Sequence, residues 1–90
     1  AKEFHKTCES FCQMGSIYWE EKAIDSAVYY YEQTLKVDPE HIEAMHNLGM
    51  IYEERNDFTN ALTHYANVLK IDPKYSLTVE RVTALKKRKW

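Results

Sequence analysis

Met14-Gly15-Ser16-Ile17-Tyr18-Trp19-Glu20 and Leu48-Gly49-Met50-Ile51-Tyr52-Glu53-Glu54 are one phrase written twice, thirty-four residues apart. Carried outward, the same register sets Glu9 on Glu43, Gly15 on Gly49, Ile17 on Ile51, Tyr18 on Tyr52 and Glu20 on Glu54. It continues with Ala27 on Ala61, Tyr31 on Tyr65, Leu35 on Leu69, Lys36 on Lys70, Asp38 on Asp72 and Pro39 on Pro73. Eleven identities without a gap point to two copies of one structural unit, since a fixed period of this size marks stacked supersecondary repeats.

Within the first copy Phe11, Met14 and Tyr18, and more weakly Cys8, recur at three- and four-residue steps; Met45, Leu48 and Tyr52 do the same in the second. That spacing lays them on one face of a helix. A break follows at Lys22-Ala23 and at Asn56-Asp57. A second apolar stripe then begins: Ile24, Ala27, Val28, Tyr31 and Leu35, matched by Phe58, Ala61, Leu62, Tyr65 and Leu69. Asn56 suits the left-handed conformation that ends a helix, and Asp57 can accept from the free amides that begin the next. Asp38-Pro39 and Asp72-Pro73 close each second helix, because proline lacks the amide donor and disfavours a helical residue before it. Gly15 and Gly49 stand inside first helices, where glycine costs about 1 kcal/mol relative to alanine. Their compensation is expected from close helix packing, with Ala27 or Ala61 opposite and Tyr31 or Tyr65 above.

At 90 residues the chain has room for one small domain. Two Gly and two Pro against 13% aromatic and 29% charged residues suit packed helices and not disorder. A net charge of −2 supplies no general basic field for nucleic acid or an anionic membrane, so neither is an expected partner. No apolar run approaches the ~18 residues of a membrane span, and Ala1-Lys2-Glu3-Phe4-His5 lacks the order of a secretory signal. The missing initiator Met and the immediate onset of helix-like sequence lead us to expect a piece of a longer protein. Cys8 and Cys12 lie four apart on one helix, a geometry that suits a disulfide poorly; reduced thiols in the cytosol or nucleus are the plainer reading.

The series Phe11, Met14, Gly15, Tyr18, Ala27, Tyr31, Pro39, repeated as Met45, Leu48, Gly49, Tyr52, Ala61, Tyr65, Pro73, resembles the tetratricopeptide repeat. The resemblance covers Cys8 to Tyr75. It implies an all-α fold of five helices: a right-handed superhelical stack of two antiparallel helix-turn-helix hairpins, residues 8–41 and 42–75, closed by a solvating helix over 76–90, all in one domain. Thr34 and Val68 depart from it, standing where a smaller residue is usual late in each second helix. Leu77, Val79 and Val82 are expected on the buried side of the closing helix.

The resemblance also implies a function: a scaffold that holds a peptide of another protein in the concave groove of the first helices, with no chemistry of its own. Off-core residues turned that way are Glu9, Cys12, Gln13, Ser16, Trp19 and Glu20 in the first copy. In the second they are Glu43, His46, Asn47, Met50, Glu53 and Glu54. Trp19 is the sharpest candidate, since Trp is enriched at binding hot spots; packing against a neighbour is its plainer role. Glu20, Glu53 and Glu54 would favour a ligand bearing Lys or Arg, against the blander reading of a solvated face. One branch of the family clamps acidic chaperone tails with Lys and Asn side chains and an Arg. Those places fall here on Cys12, Ser16, Asn47, Leu77 and Arg81, of which Asn47 and Arg81 match; without either lysine the charge complement is lost.

No nucleophile elbow, Gly-rich phosphate loop or spaced His-Glu metal motif occurs, so neither enzymatic activity nor a cofactor is expected. His5, Cys8 and Cys12 share a helix face, but three ligands on one helix do not enclose a metal, and ordinary packing is the simpler reading. Lys86-Lys87-Arg88-Lys89 reads as a solvated helix end favoured by the macrodipole. A different class of function, a structural or self-associating segment of a longer superhelix without a peptide ligand, is the alternative, for which Tyr29, Tyr30, Thr63 and His64 offer a second surface.

Overall fold

The computed structural model describes the backbone of residues 2–87 and side-chain surroundings from Ser10 to Lys87. These residues form five helices and, among them, no strand: α1 (Lys2–Glu20), α2 (Ile24–Val37), α3 (Ile42–Glu54), α4 (Phe58–Ile71) and α5 (Ser76–Lys87). The chain divides into two compact units, Ala1–Ala44 and Met45–Trp90. His5, Cys8 and Glu9 lie outside the described side chains, and Arg88, Lys89 and Trp90 outside the described residues altogether.

The turns inside the two hairpins are superimposable in their backbone logic. Lys22 N–H donates to Trp19 O at 3.0 Å and Ala23 N–H to Tyr18 O at 2.8 Å; Asn56 and Asp57 repeat this onto Glu53 O at 3.0 Å and Tyr52 O at 2.8 Å. This paired pattern ends a helix through one residue in the left-handed region. Lys22 (φ 67°) and Asn56 (φ 62°) occupy it. The side chains differ. Asp57 caps α4, accepting from the Asn60 amide at 3.4 Å and from Asn60 Nδ2 at 2.6 Å, whereas Ala23 at the start of α2 has no capping group.

Each second helix ends alike as well. Asp38 and Asp72 take extended backbone before proline, and each donates its amide back one turn at 2.8 Å, to Thr34 O and Val68 O. Their carboxylates accept from Glu40 and Lys74 amides at 3.1 Å, fixing the two Asp-Pro turns. The chain then enters α3 through His41, whose Nδ1 accepts the Ala44 amide at 3.1 Å.

In the first unit α2 buries Ala27, Tyr31 and Thr34 completely. The Tyr31 ring lies over Gly15: a Cβ there would stand 2.9 Å from Tyr31 Cε1. The Tyr30 ring stacks on Tyr18 at 5.4 Å and meets Phe11 at 6.2 Å, pinning α2 to α1. The second unit repeats the scheme with Ala61, Tyr65 and Val68 buried, Tyr65 over Gly49, and His64 against Tyr52 at 5.2 Å. Thr34 and Val68 both fit without exposure; the Thr34 hydroxyl donates to Tyr30 O at 3.0 Å. Met14, by contrast, is 37% exposed while its counterpart Leu48 is 1% exposed. A two-helix unit covers fewer sides of its first helix than a three-helix one.

The expected buried side of α5 needs correction. Leu77 and Val79 are exposed, and the fully buried positions are Thr78 and Leu85, with Val82 half-buried between them. Leu85 joins Ala61 and Tyr65 in the core of this unit, and Val82 packs beside it. The face is chosen by a hydrogen bond: the Thr78 hydroxyl meets His46 Nδ1 at 2.7 Å, so a polar side chain heads the stripe. Rotating α5 to bury Leu77 would strand that imidazole without its partner.

Candidate functional site

Each unit carries a concavity on the first helix of its hairpin. On the first, Cys12, Gln13, Ser16 and Ile17 of α1, with His41 and Glu43, line a hollow of about 400 Å³. The helical steps 12, 13, 16, 17 set those four residues along one strip of α1. Cys12 forms the floor and is buried; Gln13, Ile17 and Glu43 are exposed at the rim. Ser16 Oγ and Tyr31 OH share a hydrogen bond of 2.8 Å, which fixes the hydroxyl at the foot of the hollow.

On the second unit Met50, Glu53, Glu54, Asn56 and Arg81 line a hollow of about 370 Å³. Its wall is a charged network joining three helices. Glu53 Oε1 accepts from Tyr65 OH at 2.9 Å and from Arg81 Nε at 3.1 Å, while Arg81 Nη2 donates to Glu53 Oε2. The guanidinium thus grips the carboxylate with two bonds, the strong geometry for this pair. Burial first, and the Glu54 carboxylate second, push the Tyr65 hydroxyl well above the usual phenol range, so it remains a donor to Glu53.

His46 leads away from this surface. It is 5% exposed, bonded to Thr78, and flanked by the rings of Tyr65 at 5.5 Å and Tyr75 at 5.7 Å. Burial, and then the Arg81 guanidinium, hold its imidazole below the ordinary histidine pKa. It buttresses α5 and offers little to a ligand.

Of the residues chosen from sequence, Cys12, Gln13, Ser16 and Glu43 surround the first hollow and Met50, Glu53, Glu54 and Arg81 the second. Trp19 and Asn47 are half-buried and Glu20 is exposed, all three outside these two linings. Ile17, His41 and Asn56 join the linings without having been chosen. Ile17 matches Ile51 in the repeat register, yet it is 51% exposed where Ile51 is fully buried. Its only sequence signal is its place one turn from Gln13. Glu53, read from sequence as one of three uncompensated acids, already has its counter-charge in Arg81.

Among the described residues no three His, Cys, Asp or Glu side chains converge on a metal-sized point, and no described helix is long and apolar enough to cross a membrane. Two helical hairpins of one pattern, each with a tyrosine over a helix-interior glycine and an Asp-Pro stop, define a helical-hairpin repeat protein. Tetratricopeptide repeat family models match residues 9–41 and 42–75. The chain belongs to the tetratricopeptide repeat family, whose repeats mediate protein–protein interaction as non-catalytic scaffolds. Among curated proteins none matches the chain.

Proposed function

We propose that this chain recognises a peptide segment of another protein through the surfaces that α1 and α3 present, with no catalytic step. The observation that carries this reading is the lining of the two hollows: in each unit the first helix supplies most of the wall, with exposed or half-buried side chains around it apart from buried Cys12, and hydroxyls and charges held in place by hydrogen bonds. Gln13 and Glu43 at the first hollow and Glu54 at the second offer amide and carboxylate acceptors, while Ile17 and Met50 supply apolar contact. Such a mixture suits an extended or helical segment bearing Lys or Arg beside a small apolar residue. Glu53 contributes form more than charge, because Arg81 neutralises it, and for the same reason Arg81 is poorly placed to clamp a ligand carboxylate. Trp19 and Glu20 extend the α1 surface beyond the hollow.

A peptide-array screen followed by titration of the best hits tests this. Gln13→Lys and Glu54→Lys are expected each to weaken binding about tenfold, with Glu32→Lys on the exposed side of α2 as the control that leaves it unchanged. Hits that bind all three variants as tightly as the natural chain would place recognition elsewhere.

A further inference from the structure

The interval that relates the two hairpins also sets α5 upon α3: Val82 falls on Leu48, Thr83 on Gly49 and Lys86 on Tyr52. On α3, Gly49 and Tyr52 lie against Tyr65 and His64 of the following helix. Their counterparts Thr83 and Lys86 are exposed. By register, therefore, α5 is a first helix with the side that receives a second helix open to solvent.

Beside that open side, α4 and α5 enclose an apolar groove of about 470 Å³, floored by Leu62, Ala66, Leu69 and Val82, with Lys70 and Lys86 on its lips. The charge on its lining is one-sided: Lys70 and Lys86 are the charged residues that line it, and α4 contains no Asp or Glu. In the sequence, residues 58–90 hold seven Lys and Arg against two Asp and Glu. Residues 1–57 are the reverse, with five basic and twelve acidic side chains, so the modest net charge of the chain conceals a strong division.

We propose that this groove docks an acidic amphipathic helix from another protein, with apolar residues at three- and four-residue spacing on the floor and Glu or Asp beside Lys70 and Lys86. The groove is apolar and runs between two helices, the setting in which an amphipathic helix seats its apolar face. The lysines select the sign of the flanking charge and speed the encounter. Thr83 carries a Cβ where Gly15 and Gly49 admit a tyrosine ring, so the docked helix presents a small side chain there, unlike α2 and α4. This surface is separate from the hollows on α1 and α3 and can be tested without them.

The probes are two synthetic amphipathic peptides of about 18 residues with the same Leu and Ala stripe, one flanked by Glu and one by Lys. Fluorescence anisotropy is expected to give about tenfold tighter binding for the Glu-flanked peptide, falling as salt rises. In the Lys70→Glu/Lys86→Glu variant, checked for an unchanged melt, that preference disappears. Methyl shifts on binding are expected at Leu62, Leu69 and Val82. Equal affinity for the two peptides, a preference that survives the charge reversal, or shifts at Met50 in place of Leu62 and Leu69 would each overturn the proposal. So would concentration-dependent dimerisation of the chain alone that the same variant abolishes, since the occupant would then be a second copy.

Discussion

At the scale of single residues the two copies work as internal controls for each other. Gly49 and Gly15 occupy equivalent places, but a Cβ at Gly49 would stand 2.5 Å from Tyr65 Cε1, against 2.9 Å from Tyr31 Cε1 at Gly15. Helix propensity alone favours alanine at either site by about 1 kcal/mol. The buried tyrosine ring opposes it, and overpacking a fixed core group costs about 1–3 kcal/mol. Gly49→Ala is therefore expected to destabilise in urea titration, and more than Gly15→Ala does; a rise in midpoint would mean that the ring yields. The turn residues give the opposite case. Lys22 holds φ 67° where Asn56 holds φ 62°, and Ala23 leaves uncapped the helix start that Asp57 caps in the other copy. A side-chain cap adds about 1 kcal/mol, and asparagine tolerates the left-handed region better than lysine. Lys22→Asn/Ala23→Asp is expected to raise the melting temperature by about 4–8 °C for a chain of this size.

Among the elements, α5 is where sequence and structure part. The hairpins were legible because each of their signals repeats: apolar steps, glycine opposite alanine, and an Asp-Pro stop. α5 shares no identical residue with α3 at the thirty-four-residue interval, so no repeated signal marks its face, and hydropathy favours Leu77 and Val79 over the threonine between them. What orients α5 is a contact from thirty-two residues away, His46 to Thr78, between two polar side chains that neither helix's own pattern announces. For the same reason the Glu53–Arg81 pair leaves no mark in the sequence, and Glu53 reads there as an acid without its counter-charge. The His46 contact makes stability depend on pH in a definite direction. Its imidazole is held neutral, with a pKa below that of the unfolded chain, by burial and by Arg81, while Tyr65 of α4, Tyr75 of the turn after it and Thr78 of α5 face it. The folded state thus binds fewer protons than the unfolded one below about pH 6.5, and stability falls as pH drops from there toward the lowered value. Melting temperatures measured between pH 7.5 and 5 are expected to decline for the natural chain. The decline should be shallower for His46→Asn, whose amide can replace Nδ1 toward Thr78 and does not titrate.

For the molecule as a whole, the repeat register foretold the two hairpins and their order but not how evenly the helices share the work of folding. A two-helix hairpin fixes many dihedrals for little buried surface, and isolated helices of this length are marginal in water. The first unit buries Ala27, Tyr31 and Thr34 beneath a single facing helix. The second buries Leu48, Ile51, Tyr65 and Val68 and adds α5, whose Leu85 enters the core and whose Thr78 and Arg81 tie it to α3. Repeat arrays gain stability from such neighbour contacts and not from the single repeat, so the two parts should differ when separated. A fragment of residues 42–90 is expected to keep a helical circular-dichroism signal and a cooperative melt, whereas residues 1–41 alone should show weak helicity without a transition. Deleting residues 76–90 from the longer fragment should then abolish its transition, because Tyr65 and Ala61 lose their cover while buried His46 loses Thr78 and half-buried Glu53 loses Arg81. A fragment that melted unchanged without those residues would mean that α5 rests on the core without completing it.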